Sequence, residues 1–156
     1  MRERSAMRRA DREVTDRQAI GAIFDAGEVL YLAMTDGGAP YVLPVNYGWD
    51  GQYVWLHSAE EGLKLDILAR DPRVSFAVAS EAQVVPGKGC CWTTKFRSVV
   101  GFGTVTLITG EEERLRGLSA VVSHYSHTPE TITSRQAKGC AVLRIDVESM
   151  TGKVRE

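Results

Sequence analysis

The chain carries VLYLAM at residues 29–34, YVLPVNY at 41–47 and QYVWLH at 52–57, three apolar runs separated by short polar segments. Gly37-Gly38 lies between the first two runs, and Asp50-Gly51 lies between the second and the third. Because glycine tolerates a positive φ, both segments are typical of tight turns between neighbouring antiparallel strands. The sequence therefore predicts a three-stranded antiparallel meander.

The rest of the chain continues the β pattern. We predict further strands at 73–79, 82–85, 92–108 and 139–147. Gly101 and Gly103 interrupt the longest of these runs, and glycines inside a strand predict a bend or a bulge. Capping signals predict three helices, at about 15–27, 58–69 and 109–125, and a further short helical segment is predicted at 129–137. About seven strands with mostly hairpin connections predict a mainly β (α+β) fold, an antiparallel barrel with three or four peripheral helices.

Composition indicates an ordinary globular protein. The 156 residues include 44% apolar and 25% charged residues, and 19 Lys and Arg balance 20 Asp and Glu to a net charge of −1. A charge near zero argues against recruitment by nucleic acid or an anionic membrane, and no apolar run is long enough for a spanning helix. We therefore predict a cytoplasmic protein with a mobile arm at 1–12, a single domain at 13–150 and a C-terminal tail at 151–156.

The stretch from His57 to Lys64, HSAEEGLK, has the features of a phosphate site. It leads from a strand into a helix start, where free backbone N–H groups favour an anion, and Ser58 and Lys64 would add a hydroxyl and a cation. Ser58 and Glu61 also have capping-box spacing, and two glutamates would repel a phosphate. The stretch alone leaves both interpretations open.

Two other strand segments could contribute to a ligand site. Lys95 and Arg97 share one face of the predicted long strand, where they could bind a phosphate or form an exposed charged surface. Pro44 cannot donate to a sheet ladder, so its strand is an edge or opens at a cavity, where Asn46 could offer its amide. A simple edge strand explains Pro44 equally well.

The remaining candidates lack a specific motif. His124 and His127 have i, i+3 spacing but no third ligand at usable spacing, so no metal site is predicted. Trp92 and Trp49 could stack on a bound ring, although core packing is the usual role of tryptophan. Cys90 and Cys91 are adjacent, and with Cys140 they give an odd count that argues against a disulfide framework.

Four segments in order resemble the pyridoxamine 5'-phosphate oxidase-like, FMN-binding split-barrel superfamily, and within it the 5-nitroimidazole-reductase-like (Nim-type) branch. These segments are Arg9–Glu13, Pro40–Tyr47, His57–Lys64 and Phe96–Gly103. The resemblance implies a six- to seven-stranded split barrel and a homodimer with FMN at the subunit interface. We expect the cofactor-binding residues to be Pro44, Val45, Asn46, His57, Ser58, Lys64, Arg97 and Ser98. We add Trp92 because it lies beside the possible pocket.

The resemblance also implies a function. We expect an FMN-dependent reductase that takes electrons from a reduced nicotinamide and passes them to a small electron-poor acceptor such as a 5-nitroimidazole, with His57 beside the flavin and the substrate as the candidate catalytic residue. Two alternatives stay open. One is a non-catalytic barrel that binds flavin or haem, with His57 or His124 as candidate iron ligands; the other is a deazaflavin (F420)-dependent reductase.

Overall fold

The computed structural model describes residues 7–156, and the first six residues of the predicted N-terminal arm lie outside this range. Within residues 7–156 there are eight strands: β1 (Glu13–Val14), β2 (Leu30–Asp36), β3 (Ala39–Val45), β4 (Tyr47–Trp49), β5 (Val54–Ser58), β6 (Arg73–Val85), β7 (Thr93–Ile108) and β8 (Ala141–Arg155). Three α-helices accompany them: α1 (Arg17–Ala26), α2 (Leu63–Arg70) and α3 (Glu111–Ser126). The predicted mainly β fold with peripheral helices is confirmed.

The strands form one antiparallel sheet in the order β3-β2-β6-β7-β8-β5-β4, with β1 added to β8. The two edge strands, β3 and β4, are separated in the chain by a single residue, Asn46. One residue cannot span a flat sheet of seven strands, so the sheet must curl until its edges meet. The edges do not pair with each other, and the result is a barrel that is split along the line between β3 and β4.

The predicted meander is wrong in its connectivity. The run at 41–47 is divided into β3, which pairs with β2, and β4, which pairs with β5. The structure therefore has two separate hairpins, β2–β3 and β4–β5. Strands β3 and β4 lie at opposite edges of the sheet. The break falls at the split of the barrel, beyond Pro44, which confirms the prediction that the strand with this proline lies at an edge.

Two clusters of buried side chains hold the barrel together. The larger lies inside the barrel, where Phe76 and Ile145 of the strands meet Phe24 of α1 and Ile67 of α2. The smaller lies outside the sheet, where α3 covers Trp55. The barrel interior is thus filled with side chains, and any ligand site must lie on its outside or at its split.

The helix starts differ from the predicted capping boxes. Asp16 caps α1 by accepting a hydrogen bond from the amide of Ala19 at 2.8 Å, in place of Thr15. Ser58 does not cap α2, because it is the last residue of β5 and the helix begins only at Leu63. Gly62 precedes the helix with a φ of +129°, a conformation that favours glycine.

The longest strands contain irregularities, and Gly101 and Gly103 predicted the one in β7. The register between β7 and β8 shifts between Phe102 and Gly103, and that between β6 and β7 shifts between Ser80 and Gln83. The runs at 73–79 and 82–85 are therefore one bulged strand. Because β8 pairs with β7 as far as Arg155, the predicted tail at 151–156 is largely strand. Residues 129–137 form loop and turns, so the predicted helical segment there is wrong.

Candidate functional site

The split of the barrel brings two of the predicted ligand segments together. Tyr47 of β4 pairs with Leu56 of β5. In an antiparallel pair, one step back along β4 corresponds to one step forward along β5, so Asn46 lies at the level of His57. Asn46 is exposed and His57 is half-buried. The first residue of the split and the end of β5 thus form one continuous surface.

On its other side, Asn46 begins a row of residues that faces outward. The inward-facing row next to it crosses four strands at Val45, Leu30, Val78 and Val99. The neighbours of these residues along each strand face outward and form the outer row. This row contains Asn46, Ala79 of β6 and Ser98 of β7, and Ala79 pairs with Ser98. Asn46 therefore lies level with His57, and Ser98 faces outward three strands away in the same row.

His57 has a buried polar atom without a partner. Its Nδ1 atom is buried and makes no hydrogen bond within residues 7–156. A buried donor or acceptor that lacks a partner costs free energy, so a structure usually provides one from protein, water or a bound molecule. The unsatisfied Nδ1 of His57 marks the end of β5 as a place where a ligand could supply the missing hydrogen bond.

Lys64 supplies the positive charge of the site. It is the second residue of α2 and half-buried, and it forms no ion pair within the part of the chain that the structure describes. Burial lowers the pKa of its ammonium group below the usual lysine value. Since a charge that is partly removed from water is costly without a counter-charge, an anion at this position would stabilise the protonated form.

The backbone at the start of α2 adds donors next to Lys64. The amides of Leu65 and Asp66 both bond to the carbonyl of Gly62, at 2.9 and 3.2 Å. The amides of Leu63 and Lys64 are then the donors of the first turn that no intrahelical carbonyl can reach. Glu60 and Glu61 are exposed, and neither forms an ion pair with Lys64 in residues 7–156. The structure thus places the Lys64 ammonium group and the amides of the first turn of α2 together at the predicted phosphate site.

Arg97 and Ser98, which the family resemblance names together, face opposite sides of β7. Consecutive residues of a strand face opposite sides, and Ser98 is the one on the outer row. Arg97 forms ion pairs with Glu81 at 2.9 Å and with Glu156 at 3.8 Å. The Ser98 hydroxyl donates to the carbonyl of Lys153 at 3.5 Å. The Arg97 guanidinium is thus engaged by two carboxylates, whereas Ser98 faces outward like Asn46.

The remaining predicted residues are divided between the site and its surroundings. Pro44 is exposed on β3, whereas the side chain of Val45 packs against the core, so only its backbone is available to a ligand. Trp49 stacks on Phe24 with ring centroids 4.8 Å apart, which makes it a packing residue. Trp92 is 59% exposed in the loop that joins β6 to β7, away from the end of β5.

The histidine near the end of α3 has a structural role that the sequence did not reveal. His124 Nε2 lies 2.8 Å from the carbonyl oxygen of Gly27, and its ring packs against Tyr47. The hydroxyl of Tyr125 donates to the carbonyl of Glu28 and accepts from the amide of Tyr47. Together these contacts fix the end of α3 to the segment between α1 and β2.

A cleft of about 320 Å³ adjoins the start of α2. Glu60 and Leu65 form one side of it, and Thr109, Arg114 and Cys140 form the other. The Arg114 guanidinium donates to the carbonyl of Cys140 at 2.8 Å and to that of Ala137 at 3.3 Å. Arg114 is a second cation near the α2 start, and no local sequence pattern indicates it because it lies on a helix far along the chain.

Two further features concern ions and membranes. Among residues 7–156, no group of three or more His, Cys, Asp or Glu side chains could hold a metal ion. In the same range, no helix is both long enough and apolar enough to cross a bilayer.

The fold is a split β-barrel with outward-facing residues at the split, and comparison with known proteins identifies the family. The sequence profile described as pyridoxamine 5'-phosphate oxidase matches residues 16–154, and the chain belongs to this family. The predicted family resemblance is thereby confirmed. No match to the sequence is found among the curated proteins.

Solved structures extend the comparison. A proposed 5-nitroimidazole antibiotic resistance protein from Bacteroides thetaiotaomicron is 28% identical, with a TM-score of 0.79 over 91% of this chain and 86% of that one. The flavocytochrome Anf3 from Azotobacter vinelandii is 20% identical, with a TM-score of 0.80 over 97% and 72% of the two chains. A FAD- and haem-binding protein from Mycobacterium smegmatis is 18% identical, with a TM-score of 0.80 over 93% and 74%. The last two likenesses show the fold alone.

Proposed function

We propose that this chain binds FMN at the split of the barrel and acts as a reductase for small electron-poor acceptors. The observation that carries the proposal is the half-buried Lys64, which has no counter-charge among residues 7–156 and lies on the first turn of α2. Free amides and the positive end of the helix dipole favour a phosphate there. A dianionic phosphate would satisfy both the amides and the ammonium group.

Each residue of the site would have a separate part in binding. The amides of Leu63 and Lys64, with the Lys64 ammonium and the Ser58 hydroxyl, would hold the phosphate. Asn46 and the backbone of Pro44, at the open edge of the sheet, would contact the ring system. Ser98 lies further along the outer row and would border the same surface. Arg97, which is already paired with Glu81 and Glu156, would contribute mainly to the stability of the barrel.

When bound, FMN supplies the electron transfer itself, and the chain supplies orientation, electrostatics and protons. Reduction of a nitro group to a nitroso group takes up two electrons and two protons and releases one water, so a reduced nicotinamide provides a hydride and solvent provides one proton. His57 is the residue that we propose to deliver a proton, because it lies level with Asn46 and its Nδ1 atom has no hydrogen-bond partner within residues 7–156.

The 28% identical relative, a proposed 5-nitroimidazole antibiotic resistance protein, supports the substrate class that we propose. That degree of similarity over most of both chains supports a related acceptor for this chain. We therefore propose small nitroaromatic compounds as acceptors, and NADH or NADPH as the donor.

A second copy of the chain is the partner that the outer surface fits. The outer face of β3, β2, β6 and β7 carries Val42, Tyr31, Val84 and Val100, in that order, which are 62, 51, 62 and 45% exposed. Tyr31 and Val100 both lie level with Ala77 of β6, one row below the outer row with Asn46 and Ser98. An apolar surface of this kind is typical of an interface. A second copy seated on it would form the other wall of the flavin site.

A binding protein without turnover is a second candidate function. The free Nδ1 of His57 is the observation that favours it, because an unpaired imidazole nitrogen can also ligate haem iron. The two candidates differ in their bound chromophore and in turnover.

The test is the visible spectrum of the purified protein, followed by chromatography of the released cofactor and a turnover assay. We expect the two absorption bands of oxidised flavin, release of FMN, and oxidation of NADH or NADPH that depends on an added nitroaromatic acceptor. A haem spectrum, a deazaflavin spectrum, or bound FMN that is never reduced by either nicotinamide would contradict the reductase.

A further inference from the structure

The loop between β6 and β7 places two thiols side by side in solvent. Cys90 and Cys91 are consecutive residues in a 3₁₀ turn at Gly89–Cys91, and both are exposed and free. The loop joins Val85 to Thr93, which pair with each other, so it lies at the tip of the β6–β7 hairpin. These thiols have no part in the candidate flavin site, and the packing of the core does not require them.

The turn that carries the thiols has a defined backbone. A Cβ atom on Gly87 would come within 2.5 Å of the carbonyl carbon of Cys91, so the two backbone segments are in close contact. The amide of Cys91 donates to the carbonyl of Lys88 at 3.1 Å, and Gly89 has a φ of +54°. Because this backbone is held by its own contacts, the two side chains start from Cα atoms at a fixed separation.

The spacing of the two residues favours chelation over a direct disulfide. Adjacent Cα atoms are about 3.8 Å apart. Disulfide-linked Cα atoms are usually about 4.4–6.8 Å apart, so a bond between neighbouring cysteines is strained. A third atom inserted between the sulfurs lengthens the bridge and removes that strain. Thiolates are soft ligands and select soft, thiophilic centres.

We propose that Cys90 and Cys91 form a bidentate site for trivalent arsenic, a thiophilic metalloid, with a non-protein group as the third substituent. An organoarsenic centre with two hydroxyl groups would form one As–S bond to each cysteine, and each thiol proton would leave with a hydroxyl group as water. Two water molecules are released, arsenic stays trivalent, and no oxidant or reductant is needed. Within residues 7–156 there is no third side-chain ligand for a closed metal site.

The experiment uses the full-length protein and phenylarsine oxide, with intact-mass spectrometry as the readout. We expect one adduct per chain that survives an excess of the monothiol glutathione and is removed by the dithiol dithiothreitol. Cys90→Ser and Cys91→Ser should each lower the glutathione-resistant fraction at least tenfold, because a single As–S bond exchanges readily. Cys140→Ser is the matched control, since this thiol is half-buried in another part of the chain, and it should keep the full adduct.

Three results would overturn the site: no adduct on the native protein, an adduct that glutathione removes as easily as from Cys90→Ser, or loss of the adduct in Cys140→Ser. Circular dichroism of each variant checks that the fold is retained. A quench of tryptophan emission on binding, absent in Trp92→Phe, would place the arsenic next to the exposed Trp92 and supports the same assignment.

Discussion

Tyr47 of β4 pairs with Leu56 of β5, and this register carries Asn46 to the level of His57 at the split of the barrel. The pairing explains how two residues that are eleven positions apart in sequence become part of one surface. It also explains why the candidate site lies outside the barrel, because the interior is filled by the core around Phe76 and Phe24. Three predictions follow for FMN binding, and a fourth follows from the packing of α3 on β4.

Lys64→Ala should weaken FMN binding roughly ten- to a hundredfold, the effect of losing a charged hydrogen bond of about 1.5–3 kcal/mol. Riboflavin has the same ring system without the phosphate, so its affinity should not change. Titration of flavin fluorescence measures both ligands. Lys138→Ala, at an exposed lysine outside the site, is the matched control and should bind FMN as the unaltered protein does. An equal loss for FMN and riboflavin would remove Lys64 from the phosphate site.

FMN affinity should fall as the pH rises from neutral into the alkaline range. Burial lowers the pKa of Lys64, so its ammonium group in the free protein loses its proton at a lower pH than an exposed lysine. The FMN phosphate stays dianionic over this range, and the attraction is therefore lost from the lysine side. In Lys64→Arg the guanidinium remains charged, and the decline should disappear. The same slope in Lys64→Arg would show that another group titrates.

Arg97→Ala should change FMN affinity much less than Lys64→Ala. The Arg97 guanidinium is already paired with Glu81 and Glu156, and its side chain leaves β7 on the face opposite to Ser98. The same titration compares the two variants. If Arg97→Ala reduced FMN affinity as strongly as Lys64→Ala, with riboflavin unaffected, the phosphate would lie at β7 and not at the start of α2.

Gly48→Ala should destabilise the fold by about 1–3 kcal/mol or more, since an added Cβ would overlap the backbone of Ala120 where α3 covers β4. Gly21→Ala is the opposite case, because its Cβ would be an ordinary 3.6 Å from the Trp49 side chain inside α1. Replacing a glycine inside a helix should stabilise it by up to about 1 kcal/mol. Urea unfolding measures both free energies, and equal signs for the two would contradict the described packing.

Local patterns predicted the elements well and the closure of the barrel poorly. The apolar runs and the glycines of β7 were sufficient to predict the strands, the bulge at Gly103 and the class of fold. Nothing in the run at 41–47 shows that its two halves pair with different strands, because the break at Asn46 depends on the curvature of the whole sheet.

The candidate site could be predicted only where its residues are close together in sequence. Lys64 and His57 belong to one continuous stretch, so their motif identified them. The opposite orientation of Arg97 and Ser98 follows from strand alternation, but the ion pairs of Arg97 depend on residues far away in sequence. Arg114 and His124 act through tertiary contacts to backbone carbonyls, and no local pattern indicates such contacts.

A crystal structure of the protein grown with FMN tests the central claim most directly. The account predicts phosphate oxygens within hydrogen-bond distance of the Leu63 and Lys64 amides and the Lys64 ammonium, with the ring system beside Asn46 and His57. A phosphate bound elsewhere, or FMN that leaves the start of α2 without a ligand, would contradict it.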